Sequence, residues 1–204
     1  MKKIVLVFIS AMLVLSVFMP INYAKIAFSD LSDSHWAYKN IMTLVNQGVV
    51  NGYENGTYKP EKAVTRGEFL KLIMVALYGD NEYFEKTNFS QGHWALTYAM
   101  EALREGYMMN GASISNLDDS ITRKEMIHIL SKICTKNGIN KVQPNEALIF
   151  SDTTSLDDET KIYIDFVTRN GLINGYTDGK IKVDKTMTRA EVATVLVRFL
   201  DLRT

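Results

Sequence analysis

One four-residue pattern, Thr-Arg-x-Glu, occurs three times in the 204-residue sequence, each time directly before an apolar run. A Thr followed three residues later by a Glu is the capping-box pattern. In it the Thr hydroxyl accepts from the N3 backbone N–H and the Glu accepts from the N-cap N–H. Each copy therefore predicts the start of a helix. The predicted N-caps and their carboxylate partners are Thr65 with Glu68, Thr122 with Glu125, and Thr188 with Glu191.

The arginine of each copy has no comparable structural reason to be there. Arg66, Arg123 and Arg189 occupy the first helical position, where a positive side chain is mildly unfavourable beside the positive end of the helix dipole. Free N–H groups at a helix N-terminus form an anion site. The pattern therefore indicates either an anion bound at each arginine or three surface arginines without a ligand, and the local sequence leaves both open.

The helices predicted after these boxes are apolar on most of their surface. Between Phe69 and Leu77 only Lys71 is polar, and apolar residues also dominate the runs 126–133 and 192–200. Such a helix is surrounded by protein, and one helix–loop–helix unit cannot cover it alone. We therefore predict a mainly α fold of three helix–loop–helix repeats. We expect them to close into a pseudo-threefold cluster, because a solenoid needs polar capping ends and the last helix has none.

Within the first repeat, the helix that precedes the box has recognisable ends. Asp33 or Ser34 can cap its start, and Gly48 can end it. The loop that follows is rich in turn residues, and its two glycines, Gly52 and Gly56, are predicted to adopt positive φ.

The first residues have the layout of a secretory signal peptide. Lys2 and Lys3 precede an apolar run at 4–19, Pro20 breaks it, and Ala24 offers a small residue for cleavage. The run is shorter than the ~20 residues that a membrane-spanning helix needs, so the sequence favours cleavage and export over a membrane anchor. The predicted division is a signal peptide at 1–24 and repeats at 25–79, 80–138 and 139–204.

Composition excludes several classes of function. Residues 1–24 hold two of the 23 basic residues and none of the 23 acidic ones, so the mature chain is slightly acidic. It offers no broad basic surface for nucleic acid. Cys134 is the only cysteine and cannot form an internal disulfide. Its alignment with Leu77 and Leu200 predicts a small buried hydrophobe.

Enzymatic and metal-binding patterns are absent from the sequence. It has no Gly-rich phosphate loop, no Cys/His metal spacing and no nucleophile elbow. His35 and His93 hold the same place in different repeats, and His128 aligns with Lys71, which is predicted to be exposed. A glycosidase needs two carboxylates facing a cleft, whereas the box glutamates are occupied as caps. The sequence therefore predicts no catalytic residue, no metal site and no cofactor.

Besides the Thr-Arg-x-Glu boxes, the repeats share Phe-Ser-Asp at 28–30 and 150–152, His-Trp-Ala at 35–37 and 93–95, and Asn-Gly-Tyr at 51–53 and 174–176. With these motifs the chain resembles the S-layer homology (SLH) domain family from residue 28 to about residue 202. SLH triplets fold into a pseudo-trimeric spindle around a central bundle formed by the second helix of each repeat, which is the architecture that the resemblance implies here.

The resemblance also implies a function. SLH domains anchor exported proteins to the bacterial envelope by binding secondary cell-wall polymers, often with pyruvate ketals, and the arginine of the box binds the anionic sugar in grooves between repeats. Arg66, Arg123 and Arg189 are therefore predicted ligand-binding residues. The planar carboxylate of a ketal suits a bidentate guanidinium. The implied location is the cell surface, and the implied partner is a cell-wall glycan.

Other motif residues have two interpretations each. Trp36 and Trp94 can stack on a sugar ring or pack in the core, and their large apolar area favours the core. Glycines and tyrosines of the Asn-Gly-Tyr motifs can let the backbone approach the ligand or only form the turn, which we favour. These motif residues are Gly52, Tyr53, Gly175 and Tyr176.

The repeats depart from one another in ways that make the grooves unequal. The third repeat has Asp158 and Glu159 where the others have His-Trp, and the second has Asn110 in place of Gly52 without the following Tyr. Arg123, in the second repeat, is therefore expected to contribute less to binding than the other two arginines. Two alternative functions stay open: a structural component or assembly partner of the S-layer, and an accessory domain of a cell-wall hydrolase.

Overall fold

The computed structural model describes residues 27–78, 92–108, 114, 116–140 and 149–204. Within these residues the chain is mainly helical, as predicted, and its only extended pairings are isolated bridges. None of the described helices is both long and apolar enough to cross a bilayer. The helices are α1 (Tyr38–Asn46), α2 (Arg66–Tyr78), α3 (Leu96–Arg104), α4 (Arg123–Lys136), α5 (Asp158–Arg169) and α6 (Arg189–Arg203).

The helices form three units, each with a first helix and a second helix: α1 with α2, α3 with α4, and α5 with α6. The predicted signal peptide at 1–24 and the position of Asn110 lie outside the described residues. The exact repeat boundaries stay a prediction.

The three second helices begin where the capping boxes predict. Each starts at the arginine directly after its Thr, and both hydrogen bonds of the box are present in each copy. The Glu N–H donates to the Thr Oγ1 and the Thr N–H donates to the Glu Oε2. These two distances are 3.1 and 2.8 Å for Thr65 and Glu68, 3.3 and 2.9 Å for Thr122 and Glu125, and 3.3 and 3.0 Å for Thr188 and Glu191.

Removing one cap tests this assignment. Thr188→Ala is expected to lower the free energy of unfolding by about 1 kcal/mol, the usual effect of losing an N-cap, because the Glu191 N–H loses its acceptor. Urea denaturation followed by circular dichroism measures the change, and Thr177→Ala, at an exposed loop position, is the control. Equal midpoints for the two variants would contradict the capping role of Thr188.

The segments before the caps tie the three units into a ring. The Val64 N–H donates to the Met187 carbonyl at 2.9 Å, the Met187 N–H to the Ile121 carbonyl at 3.1 Å, and the Ile121 N–H to the Val64 carbonyl at 2.9 Å. Each of these residues belongs to a different unit, so the hydrogen bonds close a circle. The predicted closed arrangement is confirmed, whereas the spindle shape stays a prediction.

Helix packing follows the same circular order. Each first helix packs against the second helix of the preceding unit: α3 on α2, α5 on α4, and α1 on α6, while α2 also contacts α6. The side chains of Phe69, Met126 and Phe199, one from each second helix, are fully buried. The apolar surface of each unit is thus covered by another unit.

The start of the first helices differs from the prediction. Neither Asp33 nor Ser34 caps α1, whose N-cap is Ala37 without a side-chain cap. Instead the Nδ1 of His35 accepts from the Ala37 N–H at 3.2 Å, and His93 does the same for Ala95 at 3.1 Å. The imidazole supplies an acceptor two residues before the backbone N–H that needs it, so these histidines are local structural elements.

The predicted positive φ is confirmed for one of the two loop glycines and wrong for the other. Gly56 has φ +75°, as predicted, and Gly48 ends α1 with φ +71°. Gly52, by contrast, does not have a positive φ. A Cβ on Gly52 would lie 2.1 Å from Cε1 of Phe28, and one on Gly175 would lie 2.2 Å from Cε1 of Phe150. These two glycines are required because a phenylalanine ring of the Phe-Ser-Asp motif packs directly on their backbone.

The aspartate of that motif holds the loop by its backbone. Asp30 accepts from the N–H groups of Tyr58 and Lys59 at 2.7 and 2.8 Å, and Asp152 accepts the equivalent pair at 3.0 and 2.8 Å. Burial acts to raise the pKa of Asp30, but these donors outweigh it and hold the pKa below its usual value. Phe-Ser-Asp is therefore a structural clamp on the loop between the two helices of a unit.

Two predictions about α4 have different outcomes. Cys134 is buried, and burial raises the pKa of its thiol to about 12, as expected of a small hydrophobe. The alignment of His128 with an exposed position is wrong. His128 is buried with its ring 4.8 Å from that of Tyr163, because α5 covers this side of α4. No cluster of three His, Cys, Asp or Glu side chains suited to a metal occurs among the described residues.

Candidate functional site

Each box arginine reaches across a seam to the loop of the next unit. Arg189 donates through Nε to the Tyr58 carbonyl at 2.9 Å and through Nη2 to the Asn51 carbonyl at 3.0 Å. Arg123 of the second unit donates to the Asn174 carbonyl of the third. Arg66 of the first unit likewise donates to a backbone carbonyl of the second unit. The three arginines therefore lie between units, in the same circular order.

The helix N-termini themselves are not free, which corrects the sequence-based picture of an anion on the first-turn N–H groups. The Arg189 N–H donates to the Lys62 carbonyl and the Ala190 N–H to the Pro60 carbonyl, both at 2.9 Å. The corresponding N–H groups of α2 and α4 also donate to carbonyls of the next unit. Since the third N–H is bound by the capping Thr, an anion at these seams would have to bind side chains and not the first-turn N–H groups.

A groove of about 290 Å³ lies at the seam of the third and first units. We call it the Trp94 groove, because the indole of Trp94 from the second unit forms part of its wall and is 54% exposed. Arg189 and Val192 line it from α6, and Asn51 and Tyr58 line it from the loop of the first unit. All three units thus contribute to one groove.

A second groove, of about 140 Å³, repeats this composition one unit further around the ring. We call it the Trp36 groove, because Trp36 of the first unit stands at its edge with 60% of its surface exposed. Arg123 comes from the second unit, and Asn174 and Tyr176 come from the loop of the third. Arg198 on α6 also lines this groove.

The preference for core packing of the two tryptophans is wrong. Both indoles lie on the surface beside the histidine that precedes them, with ring centroids 5.7 Å apart for His35 and Trp36. In each His-Trp-Ala segment the alanine is the core residue, since Ala37 and Ala95 are completely buried. The close approach of a second helix leaves room for a methyl group and turns the indole outward into the groove.

Tyrosine rings lie under the arginines of both grooves. The guanidinium carbon of Arg189 is 4.5 Å from the ring centroid of Tyr58 and 5.1 Å from that of Tyr53, and Arg123 is 4.8 Å from the ring of Tyr176. Such contacts hold a guanidinium in place without neutralising it. Tyr58 was missed by sequence reasoning because it lies outside the repeated motifs.

Neither Arg123 nor Arg189 forms a salt bridge with another described residue. No carboxylate lies within salt-bridge distance of either guanidinium in the described part of the chain. Arg123 is only 5% exposed, its Nε has no hydrogen-bond partner, and burial lowers its pKa. A buried cation with an orphaned donor is costly unless something negative pairs with it, and here the groove opens beside it.

The third seam, between the first and second units, has different chemistry. The Nε of Arg66 donates to Oε1 of Glu125 at 2.7 Å, with the two side chains 15% and 21% exposed, and Asp119 lies 3.7 Å from the same guanidinium. Glu159 stands in place of the tryptophan and pairs with Lys132 at 3.7 Å. At this seam the box arginine is therefore already paired with a carboxylate of the protein.

Comparisons of the sequence with known proteins point to one family. The model of the S-layer homology domain matches residues 27–70 and 149–193. Over 179 residues the chain is 28% identical to exoglucanase XynX of Acetivibrio thermocellus, covering 87% of this chain and 16% of the relative. An S-layer protein of Bacillus thuringiensis subsp. finitimus is 26% identical over 202 residues, 97% of this chain and 24% of the relative.

A cellulosome-anchoring protein of Acetivibrio thermocellus is 28% identical over 124 residues, which are 57% of this chain and 28% of the relative. The chain therefore spans less than a third of the length of each of these relatives. The two regions matched by the family model each contain a Thr-Arg-x-Glu box, at 65–68 and 188–191. The matched regions cover less than half of the chain, and together with these relatives they make it similar to the S-layer homology domain family.

Proposed function

We propose that this protein is a non-catalytic module that attaches to the bacterial cell surface by binding an anionic cell-wall glycan in the Trp94 and Trp36 grooves. The observation that carries the proposal is the pairing, in each groove, of an exposed indole with an arginine that forms no salt bridge to a described carboxylate. The ligand class is a secondary cell-wall polymer, and a pyruvate ketal on its sugars would supply the carboxylate.

The two partners in each groove suit the two faces of such a ligand. An indole offers an apolar surface for the ring of a sugar, while the guanidinium pairs with a planar carboxylate. Arg189 uses two N–H donors on the carbonyls of Tyr58 and Asn51, and its other donors remain available to a ligand. These backbone contacts hold the guanidinium group of Arg189 in place before a ligand binds, so less conformational entropy is lost on binding.

The size of the Trp94 groove supports recognition of a single sugar unit. The Trp94 groove, at about 290 Å³, is close to the lower end of the ~300–1,000 Å³ of typical small-molecule sites. A polymer that carries repeated anionic groups can reach both grooves at once, and the second contact is then strengthened by the high effective concentration. Weak individual sites are therefore sufficient for firm attachment.

We place Arg66 outside the binding grooves, in contrast to the sequence-based expectation. Its guanidinium is already paired with Glu125, and no tryptophan stands at its seam. The order of importance inferred from the sequence also changes. Arg66 donates to the second unit, whose sequence lacks the Gly-Tyr pair of the loop, whereas Arg123 donates to the Asn-Gly-Tyr loop of the third unit.

The names of the relatives support an anchoring role at the cell surface, since they include S-layer and cellulosome-anchoring proteins. Exoglucanase XynX is far longer than this chain, which spans 16% of it. A hydrolytic role for the segment is not favoured, because Glu68, Glu125 and Glu191 each accept from a backbone N–H as helix caps.

Retention on purified cell walls tests the proposal. We expect the protein to sediment with native wall, and to bind about tenfold or more weakly after mild acid removal of ketals, since a charge-assisted pair contributes ~1.5–3 kcal/mol. Unchanged retention on acid-treated wall would exclude the ketal as the recognised group. Sheet formation without wall would favour a structural S-layer role, and release of reducing sugars would favour a hydrolase.

A further inference from the structure

The Trp36 groove contains a second arginine that the family motif does not include. Arg198 lies on α6, donates through Nη1 to the Leu172 carbonyl at 3.2 Å, and lines the groove together with Arg123. Arg198 is half-buried, and in the described part of the chain no carboxylate lies within salt-bridge distance of either guanidinium. Two cations from different units thus share one small groove.

The carboxylate nearest to this pair is already engaged. Glu191 lines the same groove, but its Oε1 accepts from the Tyr176 hydroxyl at 2.7 Å and from Lys185 at 2.6 Å, and its Oε2 accepts from the Thr188 N–H. Burial lowers the pKa of Arg123, its interactions with Tyr176 and Glu191 act to raise it, and the charge of Arg198 acts to lower it. Because two guanidinium groups and Lys185 face the single carboxylate of Glu191, the groove keeps an excess of positive charge.

The other two seams lack a second arginine at the position of Arg198. Lys132 occupies the position of Arg198 in the second unit, and it forms a salt bridge with Glu159 at 3.7 Å. Val75 occupies that position in the first unit and carries no charge. The Trp94 groove is lined there by the exposed Lys71, and the carboxylate of Glu68 lies on the same wall. Among the described residues, the Trp36 groove alone combines two guanidinium groups with a tryptophan, and its one lining carboxylate, Glu191, is already hydrogen-bonded.

Two fixed, like charges in a partly buried groove disfavour each other until an anion enters. An anion with one charge relieves this repulsion incompletely, whereas a phosphate monoester carries close to two charges near pH 7. Guanidinium forks also match the oxygens of phosphate, and they are commonly found in pairs or clusters where phosphate groups are recognised.

We propose that the Trp36 groove is a phosphate-preferring subsite in which Arg123 and Arg198 together bind a dianionic group, while the Trp94 groove takes a unit with a single carboxylate. This inference rests on the proposed glycan-binding function and assigns different chemistry to its two grooves. The phosphate is carried by a sugar of the wall polymer or is a free ion, and the two sources are separable by experiment.

The two tryptophans of the chain make each groove observable on its own. In a Trp94→Phe variant the remaining fluorescence reports Trp36, and the protein is titrated with methyl phosphate, inorganic phosphate or acetate at constant ionic strength. We expect phosphate and methyl phosphate to bind about tenfold or more tightly than acetate. Adding Arg198→Gln should abolish this preference, whereas Lys132→Gln, at the matching position of the second unit, should preserve it.

The outcomes separate the two sources and the two hypotheses. Tighter binding of methyl phosphate assigns the site to a glycan ester, and tighter binding of inorganic phosphate assigns it to the free ion. Equal affinities for acetate and phosphate, seen by fluorescence and by calorimetry on the unmodified protein, would overturn the inference. If wall retention still required Arg123 in that case, the proposed function would stand, and if it required no groove residue, the function itself would fall.

Discussion

A double variant, Arg123→Gln with Arg189→Gln, is expected to be released from native cell wall while it remains folded. Each arginine offers a ligand a charge-assisted pair of ~1.5–3 kcal/mol, which corresponds to about tenfold to a hundredfold in affinity for its groove. Because the two grooves can act together on one polymer, a single substitution is partly masked by avidity. The combined loss should therefore be much larger than that of either single change.

A matched control separates this effect from a general loss of positive charge. Arg104 pairs with Glu101 on α3, and Arg169 pairs with Asp165 at 2.8 Å on α5. Neither arginine lines the Trp94 groove or the Trp36 groove. The double change of both to Gln removes the same charge and should leave wall retention intact. Sedimentation with purified wall gives the bound fraction, and circular dichroism gives the melting temperature. A folded Arg123/Arg189 variant that binds as firmly as the control would contradict the groove assignment.

The features predicted well from sequence are those determined within a few residues. A capping box needs only a Thr and a Glu three residues apart, and all three second helices begin where the boxes place them. Closure of the ring was also predictable, because the apolar surface of each second helix must be buried against another unit. What covers them, however, depends on the circular order in which α1 packs on α6 and α3 on α2.

The features that sequence reasoning missed depend on contacts between units or between distant segments. Trp36 looked like a core residue because its area is large, yet the adjacent Ala37 takes the buried position. Gly52 was predicted to be a turn residue, but glycine is required there because the ring of Phe28, more than twenty residues earlier in the chain, packs on its backbone. The partner of Arg66 is in another unit, and no pattern within a single repeat could identify it.

That partner leads to a further expected result: Arg66→Met should destabilise the fold by about 2 kcal/mol. A surface ion pair contributes ~0–1 kcal/mol, whereas breaking a fully buried pair costs ~3–5 kcal/mol. The side chains of Arg66 and Glu125 are 15% and 21% exposed and their atoms are 2.7 Å apart, so the pair lies between these limits. Its loss also removes support from Glu125, whose Oε2 accepts from both the N–H and the hydroxyl of Thr122.

A double-mutant cycle with Glu125→Gln measures the interaction itself, because Gln keeps an acceptor for the cap while removing the charge. We expect a coupling energy of about 1–3 kcal/mol from urea denaturation. The more exposed pair of Lys124 and Asp157, at 3.0 Å and with side chains 30% and 56% exposed, should give less than ~1 kcal/mol in a parallel cycle. Wall retention of Arg66→Met, measured below its melting temperature, should equal that of the unmodified protein. Negligible coupling together with lost retention would return Arg66 to the binding site, because its guanidinium would then be acting on the glycan and not on Glu125.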